Sequence, residues 1–533
     1  MFPFTRWVKE SSKGCKVQQP EVIIFPSVLA ICWFLSIFWF ALTASRRPSL
    51  NMDSLPRQFY TGVAHYLNLL RPRRSTPSPK INILPQEIID KIVSYVVDYE
   101  HHLQREDCGN WHNGLARRHR LTPYATLSRP WQQAIESFTF RHLRISNEDI
   151  PKFSTLVSGS RRQAVCFLGF TIRIPAYVAG PGTSEQEWQQ SSNEILTSSF
   201  VSLFALLKSW EDDGVYRALT LSVMVPMQDE ADLPADISDQ GFPQRVVGLC
   251  ASTNLPALSN VQEIYVSSER RRPLALAVGP ILAKSLPNLR FANWLLEDDH
   301  EMPAFIRSEN RLAFAQALAS VHFPSCTSIA IDAHTGRQTN PNDSHEPIKP
   351  PGATYDPFST SIRTLSLTLT KVRVMASIDP TLLWPSPHEP SPEIPIWPSL
   401  RTLEIDFSRT APSGESYFVN IDAPHRVNPT TMNPFFAALA KAVRNMPALE
   451  TLSFACKLGD MCEFRINYYL PSWGLNQHSR RVVYEVGSDC EIPKEFIEGL
   501  RYAGKERYGG DVVEEFGPVW CECDGGGTDE MSE

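Results

Sequence analysis

The sequence predicts a mixed α/β chain, a small all-helical module followed by an irregular solenoid of alternating strands and helices. Three observations predict it. An apolar stripe at helical spacing occupies 81–97, and a second helical stretch follows at 121–143. Beyond them a short pattern, apolar-x-x-apolar-x-apolar with Pro often just before it, recurs with helix-like runs between its copies. Finally, 533 residues with 42% hydrophobic content exceed what one core usually carries, unless the chain grows along one axis by repetition.

Residues 1–21 are a polar N-terminal segment. From Val22 to Ala44 the run "VIIFPSVLAICWFLSIFWFALTA" holds no charge and is long enough to cross a bilayer, so it reads as a transmembrane helix. Arg6, Lys9, Lys13 and Lys16 precede it and Arg46, Arg47 and Arg57 follow, so flanking charge does not orient it. Met52 offers a second start, which leaves open an upstream extension outside the working protein; the chain is a single-pass membrane protein in the first case and cytoplasmic or nuclear in the second. Residues 45–80 form a linker that ends in the basic, Pro/Ser-rich "RPRRSTPSPK".

The helical module is assigned to 81–146. Pro85 suits a first helical turn, where its missing N–H costs nothing, and Glu87 meets the positive end of the helix dipole. Ile88, Ile89, Ile92, Val93, Val96 and Val97 then share one face, with Glu87, Asp90, Lys91 and Ser94 opposite. That stripe fits either a private core or a surface kept for a partner. The second stretch, "LTPYATLSRPWQQAIESFTFRHL", has Thr122 and Ser128 as N-cap candidates and buries Leu127, Trp131, Ile135 and Phe138.

Residues 147–510 carry the repeated pattern: "YRALTLSV", "LPALSNVQEIYV", "LPNLRFANWLL", "FPSCTSIAID", "STSIRTLSLTL", "WPSLRTLEIDF" and "MPALETLSFAC". Each core alternates as a strand does, for example at Leu365, Leu367 and Leu369, or at Leu403, Ile405 and Phe407. Helix-like runs lie between them at 198–210, 311–321 and 434–446. The alternation fits a solenoid with parallel strands, and it also fits an ordinary α/β domain with a parallel sheet. A last strand at 480–489 and an amphipathic helix at 493–509 close the array, and 511–533 is expected to be a disordered tail. With 43 Pro against 26 Gly, the connectors should be stiff, as in "WPSPHEPSPEIPIWP".

Function classes narrow by what is missing. No phosphate-binding glycine loop, GxSxG, HExxH or paired CxxC occurs, so the chain is expected to be non-catalytic and to need no cofactor. Eleven scattered cysteines suit a reducing compartment. Neither "CEC" at 521–523 nor the group His101, His102, Cys108, His112 and His119 has a familiar metal-ligand spacing, so no metal site is assigned. A net charge of −7 gives no electrostatic case for nucleic acid. The basic spots at Arg161–Arg162 and Arg270–Arg272 fit either a substrate or phosphate contact or solvated loop charge, and single carboxylates in the connectors are read as solvated.

Leu84-Pro85-x-Glu87-Ile88 with Ile89, Ile92 and Val96, followed by Leu121, Ala125 and Leu127-Ser128-Arg129-x-Trp131, resembles an F-box, in particular those of filamentous fungi. The array resembles a degenerate leucine-rich-repeat solenoid, which fungal F-box proteins commonly carry after the F-box. The resemblance implies a substrate-recognition subunit of an SCF-type cullin-RING ubiquitin ligase. Leu84, Pro85, Ile88, Ile89, Ile92, Leu121 and Ala125 would dock the Skp-type adaptor, and the array would hold a protein target. The chain departs from compact F-boxes by a polar insertion at 98–120. The alternative is a membrane-tethered scaffold whose helical module only caps the solenoid.

Overall fold

The computed structural model describes residues 85–94, 125–175, 184–226, 246–250, 253–268, 274–298, 302–334, 346–390, 392–419, 426–458, 463–470, 480–486, 492–503, 505, 509 and 512–517. The chain divides into two units, 1–135 and 136–533. The stretches 22–44, 98–120, 269–273 and 521–523, with the transmembrane, insertion, basic and cysteine readings attached to them, lie outside the described residues. Among the described residues no helix is long and apolar enough to cross a membrane.

In the first unit, α1 spans 86–94 and the second helix, α2 (Arg129–Thr139), begins within it and continues past its end. Ile89, Val93, Trp131, Ala134 and Ile135 are its buried apolar side chains. Gln86 Nε2 donates to the Pro130 carbonyl at 3.2 Å, which ties the start of α1 to the start of α2. A module that is helical throughout to residue 146 does not form, because His142–Ser146 is the first strand of the sheet.

The second unit is mixed α/β. Its strands are β1 (His142–Ser146), β2 (Phe167–Thr171), β3 (Leu219–Val225), β4 (Val261–Ser268), β5 (Phe291–Glu297) and β6 (Ser328–His334). They continue as β7 (Lys371–Ala376), β8 (Thr402–Phe407), β9 (Thr451–Lys457), β10 (Glu463–Tyr469), β11 (Arg480–Glu485) and β12 (Val512–Phe516). The helices between them are α3 (Ile150–Leu156), α4 (Ser160–Ala164), α5 (Glu185–Asp212), α6 (Val278–Lys284), α7 (Ala304–Ala319), α8 (Pro357–Ser366), α9 (Pro429–Arg444) and α10 (Lys494–Tyr502).

The twelve strands among the described residues lie in one sheet in strict chain order. From β1 to β9 every pairing is parallel, because each connection carries the chain back to the same end before the next strand starts. A doubly wound α/β domain reverses its strand order at a switch point, and this sheet has none. Only five residues separate β9 from β10, too few for a crossover, so β10 turns back antiparallel to β9.

Local chemistry explains several elements. Ser184 Oγ accepts the Glu187 N–H at 3.2 Å and the Glu187 carboxylate accepts the Ser184 N–H at 3.0 Å, a reciprocal cap that starts the long α5. Asn428 caps α9 with Pro429 behind it. Alternation puts Leu219, Leu221, Val223 and Val225 of β3, and Leu403, Ile405 and Phe407 of β8, on one buried face. Phe200, Leu203 and Phe204 of α5, Phe314 of α7, and Phe435, Phe436 and Leu439 of α9 complete that core. Gly279 of α6 is required by a close approach: a Cβ there would lie 2.7 Å from the Trp294 ring.

Two sequence expectations are corrected. The strand expected at Leu365–Leu369 is instead the end of α8 and the turn after it, and the strand, β7, lies at Lys371–Ala376. The Asp356 carboxylate accepts the Ser359 N–H at 3.1 Å and Pro357 follows, a helix start that overrides the leucine alternation. The tail assigned from 511 opens with β12, parallel to β11, so ordered sheet extends past the expected end of the array.

Candidate functional site

The seven residues expected to meet an adaptor divide into three groups. Leu84 and Leu121 lie outside the described residues. Ile89 is 1% exposed, so it belongs to the packed interior and has no surface to offer, contrary to its place in the expected docking set. Pro85 is exposed, and Ile88, Ile92 and Ala125 are half-buried. The apolar stripe is therefore split: Ile89 and Val93 face inward, while Pro85, Ile88 and Ile92 keep apolar surface toward solvent. Of the side expected to be buried in the second stretch, Trp131 and Ile135 are buried, and Leu127 and Phe138 are half-buried.

The second candidate surface is the face of the sheet that carries no core. The strands pair in register from β2 to β9, so outward residues line up in rows. One row runs Gly169, Ser222, Tyr265, Asn293, Ala330, Arg373, Glu404, Ser453. Over β3–β5 the face is mixed: Thr220, Ser222, Glu263, Ser267 and Asn293 share it with Tyr265 and Phe291, whose ring centroids are 5.3 Å apart, and with the exposed Met224 and Leu295. Over β7–β8 it is charged: Lys371 Nζ and Arg373 Nε lie 2.9 and 3.7 Å from the two oxygens of Glu404. Such a surface can hold another macromolecule by mixed polar and apolar contacts over β3–β5 and charged ones over β7–β8.

Sequence reasoning missed a third feature, a buried charged network at the C-terminal ends of β5 and β7. Asp298 follows β5, Arg307 and Arg311 lie one turn apart on α7, Asp356 caps α8, and Ser377 and Asp379 follow β7. Arg307 Nε donates to Asp298 at 2.8 Å; Arg311 donates to Asp298 at 3.1 Å, to Asp356 at 2.6 Å and to the Ser377 carbonyl at 2.7 Å. The Arg311 guanidinium also lies 4.2 Å from the Phe358 ring centroid. Arg311, Asp298 and Asp356 are fully buried.

Burial pushes the Asp298 carboxyl up, but the guanidiniums of Arg307 and Arg311 outweigh it and hold it below its ordinary range. Among the described residues no cation is hydrogen-bonded to Asp379; burial, then the like charge of Asp356, push its carboxyl up to about 6, against the Thr381 hydrogen bonds and Lys349. The Tyr417 hydroxyl is pushed well above its ordinary value by burial and by Asp379 and Asp356, and it donates to the Ile378 carbonyl at 2.7 Å. With its central charges sealed from solvent, this network braces two helices against two strand ends. A smaller pair repeats the device, with Arg363 of α8 donating to both oxygens of Glu389. The expectation that connector carboxylates are solvated is therefore wrong for Asp298, Asp356, Asp379 and Glu389. Asp298, Asp356 and Glu389 are each buried against an arginine from a helix that sequence spacing does not link to them, and Asp379 is buried with Thr381, two residues on, as its donor.

The basic spot at Arg161–Arg162 is already occupied. Arg161 reaches both oxygens of Glu136, at 3.0 and 2.7 Å, and Arg162 pairs with Asp213, so neither guanidinium is a free anion site. Among the described residues no cluster of His, Cys, Asp or Glu could hold a metal ion. The chain matches no protein-family model, no curated protein and no solved structure.

Proposed function

We propose that the chain is a non-catalytic substrate-recognition subunit of an SCF-type cullin-RING ubiquitin ligase. In this reading Pro85, Ile88 and Ile92 dock a Skp-type adaptor, and the repeats are a leucine-rich-repeat-like solenoid whose outward sheet face holds a protein target. The observation that carries it is the split stripe of α1. A helix that serves only its own core has no use for Ile88 and Ile92 beside an exposed Pro85 once Ile89 and Val93 are buried. The unbroken order of β1–β9 supports the second half, because it spreads one continuous outward face over nine strands. The chain's part in catalysis would be positioning, raising the effective concentration of a target near the ubiquitin-charged enzyme.

The test is co-purification with the adaptor. Ile88→Asp, and likewise Leu84→Asp, is expected to abolish adaptor binding with an unchanged circular dichroism spectrum, whereas Ile89→Asp is expected to disrupt the helical unit itself. Retained binding in Ile88→Asp and Leu84→Asp would reject the proposal. Carbonate-resistant membrane association without adaptor binding would favour the tethered scaffold.

A further inference from the structure

The Pro-rich connector before β8 carries a feature that adaptor docking does not use. Over 393–397 the chain is neither helix nor turn and its burial alternates as in an extended segment: Pro395 and Trp397 are buried, while Ile394 and Ile396 between and beside them are 67% and 61% exposed. They are the only two large apolar residues at strand spacing that are both this exposed among the described residues. The inward residues are anchored. Asn445, at the end of α9, donates its side-chain amide to the Pro395 carbonyl at 3.0 Å and accepts the Trp397 N–H at 3.0 Å. Trp397 Nε1 donates to Ser366 Oγ at 2.7 Å.

In an extended chain the peptide groups of alternate residues point to opposite sides. With those of 395 and 397 turned to Asn445, those of Ile394 and Ile396 face away, and among the described residues no hydrogen bond reaches them. Proline at 395 costs nothing on the outward side, since its missing N–H belongs to the inward set. Glu393, next in line, is exposed and forms no ion pair among the described residues.

We infer that the 393–396 strap is a docking edge for an extended segment of a partner protein, one with alternating β-branched or other apolar residues and a Lys or Arg opposite Glu393. The backbone selects the conformation of the occupant, because two outward peptide groups two residues apart pair with a strand and not with a helix. The isoleucines select its apolar character, and the carboxylate selects its charge. This inference is independent of adaptor docking, since the strap lies in the second unit.

The experiment pans a phage-displayed library of short random peptides on the full-length chain and measures the selected peptides by titration. Selected sequences are expected to alternate apolar and other residues and to include a basic one. Their affinity should fall about tenfold or more in Ile394→Ser and in Ile396→Ser, and less, in a salt-dependent way, in Glu393→Gln. Amide hydrogen exchange at Ile394 and Ile396 should slow on binding, with the Trp397 amide protected in both states; that amide and the thermal unfolding curve report that the variants remain folded. Peptides whose binding ignores all three substitutions, or which leave exchange at 394 and 396 unchanged, would overturn the inference. So would self-association of the free chain that vanishes in Ile394→Ser, because a second copy would then cover the strap.

Discussion

The layer beneath β8–β10 and the layer at the ends of β5–β7 lie in the same unit and are filled by opposite means. In the first, Phe407 stacks on Phe454 with ring centroids 4.6 Å apart and meets Tyr417, Phe418, Phe435 and Phe464 within 6.3 Å. In the second, Arg311 is as deeply buried and is held by two carboxylates and a carbonyl. Aromatic packing tolerates the loss of one member in proportion to the volume removed. An ion network does not, because each removal strands the opposite charge in a medium that cannot solvate it.

Arg311→Ala should have the largest effect, destabilising by about 3–5 kcal/mol in chemical denaturation, with Asp356 losing its guanidinium and Asp298 left with Arg307 alone. Combining Asp356→Asn with Arg311→Met, which leaves Asp298 held by Arg307, should recover much of that loss; no recovery would erase the distinction between the layers. Phe407→Ala should cost a comparable amount, about 3–5 kcal/mol, but with no dependence on pH.

Asp379 sharpens the contrast through pH. Its folded carboxyl titrates near 6, above the ordinary 3.8, so between those values the native state binds more protons than the unfolded one. Stability from this group therefore falls as pH rises from about 4 to about 6 and is flat above that. Asp298 has the opposite sign: its contribution is fully present above the ordinary carboxylate range and is lost as pH falls through its lowered value. Asp379→Asn should flatten the upper of these two slopes, a change on the order of 1–3 kcal/mol across the window in denaturation midpoints measured at several pH values. The smallest effect belongs to the sheet surface. Lys371→Ala, which removes one of two cations around Glu404, should change stability by less than about 1 kcal/mol and be weaker still in high salt.

The helices were legible where amphipathic spacing ran long, as over 198–210, 311–321 and 434–446, each of which falls largely within an observed helix. Strands were legible where Pro and Leu precede a clean alternation, as at β5, β8 and β9. Reading failed at 365–369, where leucines alternate but the cap at Asp356 and Pro357 decides the outcome upstream. It also missed β1, β2, β10 and β12, short strands whose partners supply most of the reason for their existence. Of the residues expected to meet an adaptor, the α1 stripe was legible as a whole, but nothing in its periodicity tells Ile88 from Ile89. One residue of rotation, about 100°, puts the first at the boundary and the second inside, and only the helix packed beside it sets that angle.

By itself the sequence determined what depends on near neighbours: the alternation of strand and helix, the caps that start α5 and α9, and the apolar faces that must be covered. These follow from backbone hydrogen bonding and side-chain period within a turn or two of chain. Tertiary structure alone decided the strict strand order, the split of the α1 stripe, the exposed isoleucine pair of the strap and the burial of connector charges. Asp298 and Asp356 look like solvated loop carboxylates until Arg311 comes between them. Whether a charge is paid for depends on what lies within a few ångströms of it, and that distance is fixed by the fold, not by separation along the chain.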